Sequence, residues 1–226
     1  MIRPLPGAKA TARRFREAGW RVLVHPLFAI EPLEWQPGDA RRHDAILFGS
    51  ANALRHGGPN LRALVGLPAM CVGAATAQAA RKAGFEVIAT GTGGLQSLVP
   101  EAVARSFHRL LRISGESHVP LELPHDMSLE TRVAYRVAAK PFDAALSERL
   151  RHGATVLLHS GDAAAHFAAQ CDANDCARDA IGLACLAPRI AEAAGDGWRT
   201  VAVAERPDDA ALLACARQLC QGDRQG

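Results

Sequence analysis

Two stretches of the chain, ILFGSANALRH at residues 46–56 and VLLHSGDAAAH at residues 156–166, are written on one plan. Each is a short apolar run, then a serine (Ser50, Ser160), then small and polar residues in an alanine-rich stretch that ends in His56 or His166. The correspondence continues downstream. CVGAATAQAARKAGFEVIATGTGGLQSLV (71–99) and CLAPRIAEAAGDGWRTVAVAERPDDAALLACARQL (185–219) run through the same order of strand end, small-residue turn, helix, glycine, strand and loop into helix. Gly84-Phe85-Glu86-Val87 falls beside Gly197-Trp198-Arg199-Thr200-Val201. The chain therefore reads as internally duplicated, with a period near half its length, far too long for a solenoid.

Within each copy, apolar runs such as AILF, TVLL and RTVAVA alternate with helical patterns such as TAQAARKAG and DDAALLACARQL. Runs of that length without strict polar alternation suit strands buried on both faces, and their alternation with helices implies βαβ units in parallel sheets. Gly19, Gly84 and Gly195 stand where helix ends need a left-handed residue. The expected fold class is α/β, with two Rossmann- or flavodoxin-like parallel-sheet lobes. The length of 226 residues allows two, if both are compact. A third pair of echoes, GWRVLVHPLFAIEPL (19–33) and LETRVAYRVAAKPF (129–142), runs extended into a proline each time. These segments are candidates for paired connectors, and a cleft between the lobes is the consequence.

Composition bounds the ligand. With 49% hydrophobic and 22% charged residues the chain can bury a core, and a net charge of +3 suits an anionic small molecule without demanding a nucleic acid. MIRPLPGAKATARRF lacks the apolar core of a signal peptide, and no window approaches the roughly 18 to 20 apolar residues of a membrane span. A cytoplasmic protein is expected, with its six cysteines reduced. Those cysteines form no CxxC pair, and the nine histidines show no metal-ligand spacing, so no metal is expected.

In open α/β sheets the ligand crevice lies beyond the carboxyl ends of the strands. Ser50, Ser160, VGAAT and GTGGL all fall there. Ser50, Thr76 and Ser160 each have a plain structural explanation as helix caps. The small residues beside them also let a ligand approach backbone N–H groups, and helix N-termini favour anions. LFGSANA is not a G-x-S-x-G elbow, no Walker A sequence is present, and GTGG lacks the full dinucleotide fingerprint. Tyr135, the one tyrosine, lies in the second connector segment. Its phenol is a poor base at neutral pH and an available proton donor.

The order of these motifs resembles the uroporphyrinogen-III synthase family across nearly the whole chain. The resemblance is carried by Arg3-Pro4, GWRVLVHPLFAIEP, DAILFGSANAL, VGAATAQAARKAGF, the tyrosine of VAYRV, VLLHS and APRIAEAAG. It implies two α/β lobes joined by a two-stranded β ladder. On this chain that gives one lobe from residues 1–30 and 138–226, a second from 36–130, and connectors near 27–35 and 131–138. It implies that hydroxymethylbilane, a linear tetrapyrrole with eight carboxylates, loses water and closes with inversion of its last ring through a spiro intermediate. No cofactor is implied, and a monomer is expected.

Carried over residue by residue, the resemblance makes Tyr135 the catalytic group at the departing hydroxyl. It places substrate carboxylates near Ser50, Ala51 and Asn52, near Ala74, Ala75 and Thr76, and near Ser160, with Arg3 and Arg189 as charged partners. Three features depart from the family pattern. Only Met1 and Ile2 precede Arg3-Pro4, so the first strand is truncated or the start lies upstream; Arg189 and Ile190 of APRIA stand where hydroxyls are usual; and Pro120 and Pro124 in HVPLELPHDMS require a loop in place of a helix. The alternatives are a non-catalytic two-lobe sensor for an anionic metabolite and a degenerate synthase that binds tetrapyrrole without turnover.

Overall fold

The computed structural model describes residues 1–2 and 7–222. The chain divides into two compact units, unit 1 from residues 1–29 with 139–226 and unit 2 from residues 30–138.

Unit 2 is built on a mixed sheet. Its strands are β1 (Phe28–Pro32), β2 (Ala45–Phe48), β3 (Ala69–Val72), β4 (Val87–Gly91), β5 (Arg109–Gly115) and β6 (Ser128–Ala139), in the order β1-β6-β5-β2-β3-β4. The pairs β2/β3, β2/β5, β3/β4 and β5/β6 are parallel. β1 runs antiparallel to β6: the Leu33 N–H donates to Ala134 O at one end and the Lys140 N–H to Leu27 O at the other. The boundary between the units falls within both strands.

The apolar runs are explained by burial on both faces. On one side Ile46, Phe48, Leu111 and Ile113 pack with Ala77 and Ala80 of helix α3 (Gly73–Lys82) and with Ala53 of α2 (Ala51–His56). On the other, Ala45, Leu47, Met70 and Leu110 meet Leu98 and Ala102, the latter on α4 (Val99–Ala104). Phe48 is fully buried and meets Phe85 edge-on at 5.0 Å between ring centroids. Truncating such a ring to alanine costs about 3–5 kcal/mol.

Unit 1 is built on a three-stranded parallel sheet of β7 (Ala154–Leu158), β8 (Ile181–Cys185) and β9 (Thr200–Val203). The central strand β8 is buried throughout, whereas β9 lies at the edge with Val201 and Val203 exposed, so RTVAVA is not buried on both faces as its apolar run suggests. Val156, Leu158, Leu183 and Cys185 face α5 (Ala144–Arg151), α6 (Gly161–Ala173) and α7 (Pro188–Ala194). Leu157 and Ala184 face Phe15 of α1 (Gly7–Glu17) and Leu212, Cys215 and Ala216 of α8 (Asp209–Gly222). Asp209 ties α1 and α8 together by accepting from Thr11 Oγ1 at 2.9 Å and Arg14 Nη1 at 3.1 Å. The short segment before Arg3 is well held: Ile2 is 2% exposed, the Met1 amino group donates to Leu23 O, and the N–H groups of His25 and Leu27 donate to Met1 O and Ile2 O.

The glycines predicted at helix ends adopt positive φ: +86° at Gly19, +94° at Gly84 and +69° at Gly195. At Gly84 the helix closes with Phe85 N–H donating back to Ala80 O, the wider bond of a left-handed cap. Residues 116–127 contain no helix. Pro120 and Pro124 both lie in this loop, and Gln96 pins it by donating through Nε2 to Glu122 O and accepting the Glu122 N–H, each at 2.9 Å.

Candidate active site

In unit 2 the chain moves outward from β2 to β3 and β4, then returns to place β5 on the opposite side of β2. Beyond the carboxyl ends of β2 and β5 the sheet thus has a topological switch point, where the following loops diverge and leave a crevice. A cavity of about 410 Å³ lies there, lined by Gly49, Ser50, Gly94, Arg112, Gly115 and Tyr135 among others. That volume lies within the roughly 300–1,000 Å³ usual for small-molecule sites.

Tyr135 reaches this cavity through an irregularity in the sheet. β5 and β6 pair in step from Arg109↔Ser128 to Ser114↔Val133, and then the register slips so that Gly115 faces Tyr135. Such slips re-aim side chains. The ring is 7% exposed and belongs to the unit 2 core, its hydroxyl has no hydrogen-bond partner among the described residues, and the His56 ring lies 6.4 Å away. Burial, assisted by the charge of Arg55, lowers the His56 pKa from its ordinary value. The phenol is thus held by packing, with its hydroxyl uncommitted.

Ser50 shares the cavity with Tyr135. Its side chain caps α2 by accepting the Asn52 N–H at 3.2 Å, while Asn52 Oδ1 accepts from Arg55 Nη1 and Ala51 is buried. Ala74 and Ala75 are exposed on the first turn of α3 and Thr76 is buried on it. These three do not line the cavity; Ala75 borders a separate groove with Arg55 and Lys82. The α3 start has no side-chain cap.

In unit 1, Ser160 caps α6 by accepting the Ala163 N–H at 3.3 Å. Arg189 is exposed at the uncapped start of α7, while Ile190 is 1% exposed in the core. Ile190 is therefore a packing residue. Arg3 lies outside the described residues.

The sequence reading passed over Arg112, Gly115, Gln96 and His118. Arg112 sits in RLLRISG, where two arginines in seven residues suggest an exposed edge, yet the strand is buried from Leu110 onward. A charge inside a run otherwise fit for a central strand was the available signal. His118 Nδ1 donates to Gly115 O at 2.9 Å and closes the turn after β5.

Among the described residues no group of three or more His, Cys, Asp or Glu side chains could hold a metal ion, and no helix is long and apolar enough to cross a membrane. Burial pushes the thiols of Cys71 to about 11 and of Cys171 and Cys185 to about 12, which leaves them poor nucleophiles.

The sequence model of the family described as uroporphyrinogen-III synthase HemD matches residues 9–214. The chain belongs to the uroporphyrinogen-III synthase family. Membership brings the function with it, the cyclisation of hydroxymethylbilane to uroporphyrinogen III with inversion of ring D, and the sensor alternative is not favoured. The crystal structure of uroporphyrinogen-III synthetase from Helicobacter pylori 26695 is similar, with a TM-score of 0.62 at 17% identity over 89% of this chain and 96% of that one. Uroporphyrinogen III synthase from Thermus thermophilus also matches, with a TM-score of 0.41 at 17% identity over 100% and 99% of the two chains. No curated protein sequence matches significantly.

Proposed function

We propose that the unit 2 cavity is where this family reaction takes place and that Tyr135 acts at the leaving hydroxyl. The carrying observation is that Tyr135, its hydroxyl without a hydrogen-bond partner among the described residues, lines a cavity at the switch point of the mixed sheet. In the reaction the hydroxyl of the bilane's hydroxymethyl group departs as water when Tyr135 supplies a hydrogen bond or proton to it, and the carbon stays behind as an exocyclic methylene. The resulting azafulvene cation is attacked by the substituted carbon of ring D, giving a spirocyclic pyrrolenine. Cleavage of the bond between that carbon and its original bridge, followed by reclosure at the free position, inverts the ring.

Unaided, the bilane closes without inversion, so the protein must favour the conformation in which the spiro attack is the near one. Positioning carries most of that effect. The substrate's carboxylates are assigned to N–H groups at the starts of α2 and α3, near Ser50, Ala51 and Asn52 and near Ala74, Ala75 and Thr76. In unit 1, Ser160 and Arg189 have the same assignment, and Arg3 remains a proposed partner. The shared order of strand and helix from β2 to β4 and from β7 to β9 supports an internal duplication. A cofactor-free cytoplasmic monomer acting on a small molecule completes the proposal.

The test is to supply freshly generated hydroxymethylbilane, oxidise the products and resolve the uroporphyrin isomers. Predominantly type III supports the reading; type I alone, at the rate of a protein-free control, overturns it.

A further inference from the structure

Arg112 is 5% exposed in the middle of β5. Its Nε donates to Thr131 Oγ1 at 3.1 Å on the paired strand, and its Nη1 donates to Val119 O at 2.8 Å in the loop over the cavity. These bonds use two of the five N–H groups of a guanidinium. Neither acceptor is charged, and Arg112 forms no ion pair with a described residue.

The lining of the cavity supplies no counter-charge. No Asp or Glu is among its lining residues, whose polar side chains besides Arg112 are three serines, Gln96, His118 and Tyr135. Burial lowers the Arg112 pKa, and no carboxylate acts in the opposite direction. A buried cation is ordinarily paired, because desolvation without a counter-charge is costly. Here Arg112 borders a cavity with room for a ligand.

We infer that Arg112 binds one carboxylate of the tetrapyrrole substrate, the ligand supplying the counter-charge that the protein omits. The assignment rests on the synthase reading of this cavity. Arg112 and Tyr135 line the same space, so the carboxylate anchor and the phenol act on one bound molecule. Thr131 Oγ1 and Val119 O each take one N–H, from Nε and Nη1, and the guanidinium has further donors for a planar carboxylate, a multidentate pairing that arginine offers and lysine does not.

Steady-state kinetics with hydroxymethylbilane, resolved by isomer, on the parent, Arg112→Met and Arg112→Lys test this. Arg112→Met is expected to raise KM about 10- to 100-fold, the range for loss of a charge-assisted hydrogen bond. Its kcat stays within a few-fold of the parent and its melting temperature does not fall, because an uncompensated buried charge has been removed. Arg112→Lys recovers part of the KM. A folded Arg112→Met with KM within twofold of a parent that makes type III overturns the assignment alone, as does a fall in melting temperature without a change in KM. If Arg112→Met does not fold, Arg112→Lys and Arg112→Gln carry the same comparison between retained and lost charge. A parent that yields only type I overturns the synthase reading and this assignment with it.

Discussion

Gly115 and Tyr135 face one another across β5 and β6 so closely that a β-carbon on Gly115 would lie 2.7 Å from Tyr135 Cε2 and 2.8 Å from Cζ. The glycine is required by close approach, since its φ is not positive. Gly115→Ala must therefore push the ring from its place, at a cost of about 1–3 kcal/mol for overpacking. The expected outcome is a lower melting temperature together with a fall in kcat of about tenfold or more, since misplacement of roughly 1 Å is enough to cost large factors in rate. Thermal denaturation and isomer-resolved kinetics on the same preparation check both parts.

Ser50 and Ser160 each serve a helix start, which separates their two roles experimentally. Ser50→Ala and Ser160→Ala should each destabilise by about 1 kcal/mol through loss of the cap. Ser50→Asp and Ser160→Asp keep a capping oxygen and add a negative charge that suits a helix N-terminus. They are expected to retain stability while raising KM, because the added carboxylate repels those of the substrate. Denaturant melts alongside steady-state kinetics decide; an Asp variant with parental KM removes that serine from the substrate site.

Acid sensitivity is expected from Asp44. Its carboxylate accepts from the Arg109 guanidinium, at 2.6 Å to Nη2, and from the backbone N–H groups of His108 and Arg109. These bonds, the Arg109 side chain foremost, lower its pKa from 3.8 to about 2. A depressed folded pKa means that the stabilisation is complete above the unfolded value and is lost as pH falls from 3.8 towards 2. Asp44→Asn should cost about 1 kcal/mol near neutral pH, discounted for partial exposure, and progressively less in that acid window. Urea melts at several pH values measure the convergence of the two proteins.

The elements that sequence reasoning reached are those governed by local rules. AILF and TVLL announced strands buried on both faces, Gly19, Gly84 and Gly195 marked helix ends that need positive φ, and two prolines kept residues 116–127 out of a helix. Tyr135 and Ser50 were singled out in sequence and line one cavity. What escaped depends on contacts between distant residues. Nothing in RISG states that Gly115 must make room for a ring twenty residues later, because the register slip that brings them together is a property of the paired strands. Arg112 escaped for a related reason: its significance is the absence of a carboxylate around it, and that depends on which loops close the cavity. Ala74 and Ala75 lie on the first turn of α3, outside the lining of the cavity that Tyr135 and Ser50 share.

The most direct test of the central claim, that the chemistry runs in the cavity beneath Tyr135, is the isomer-resolved turnover of Tyr135→Phe against the parent. With no hydrogen bond from the hydroxyl to a described residue to lose, the variant should melt with the parent. The account predicts that its rate of type III formation falls by roughly 10²-fold or more, the scale of a lost proton donor. A folded variant that forms type III at the parental rate would contradict it.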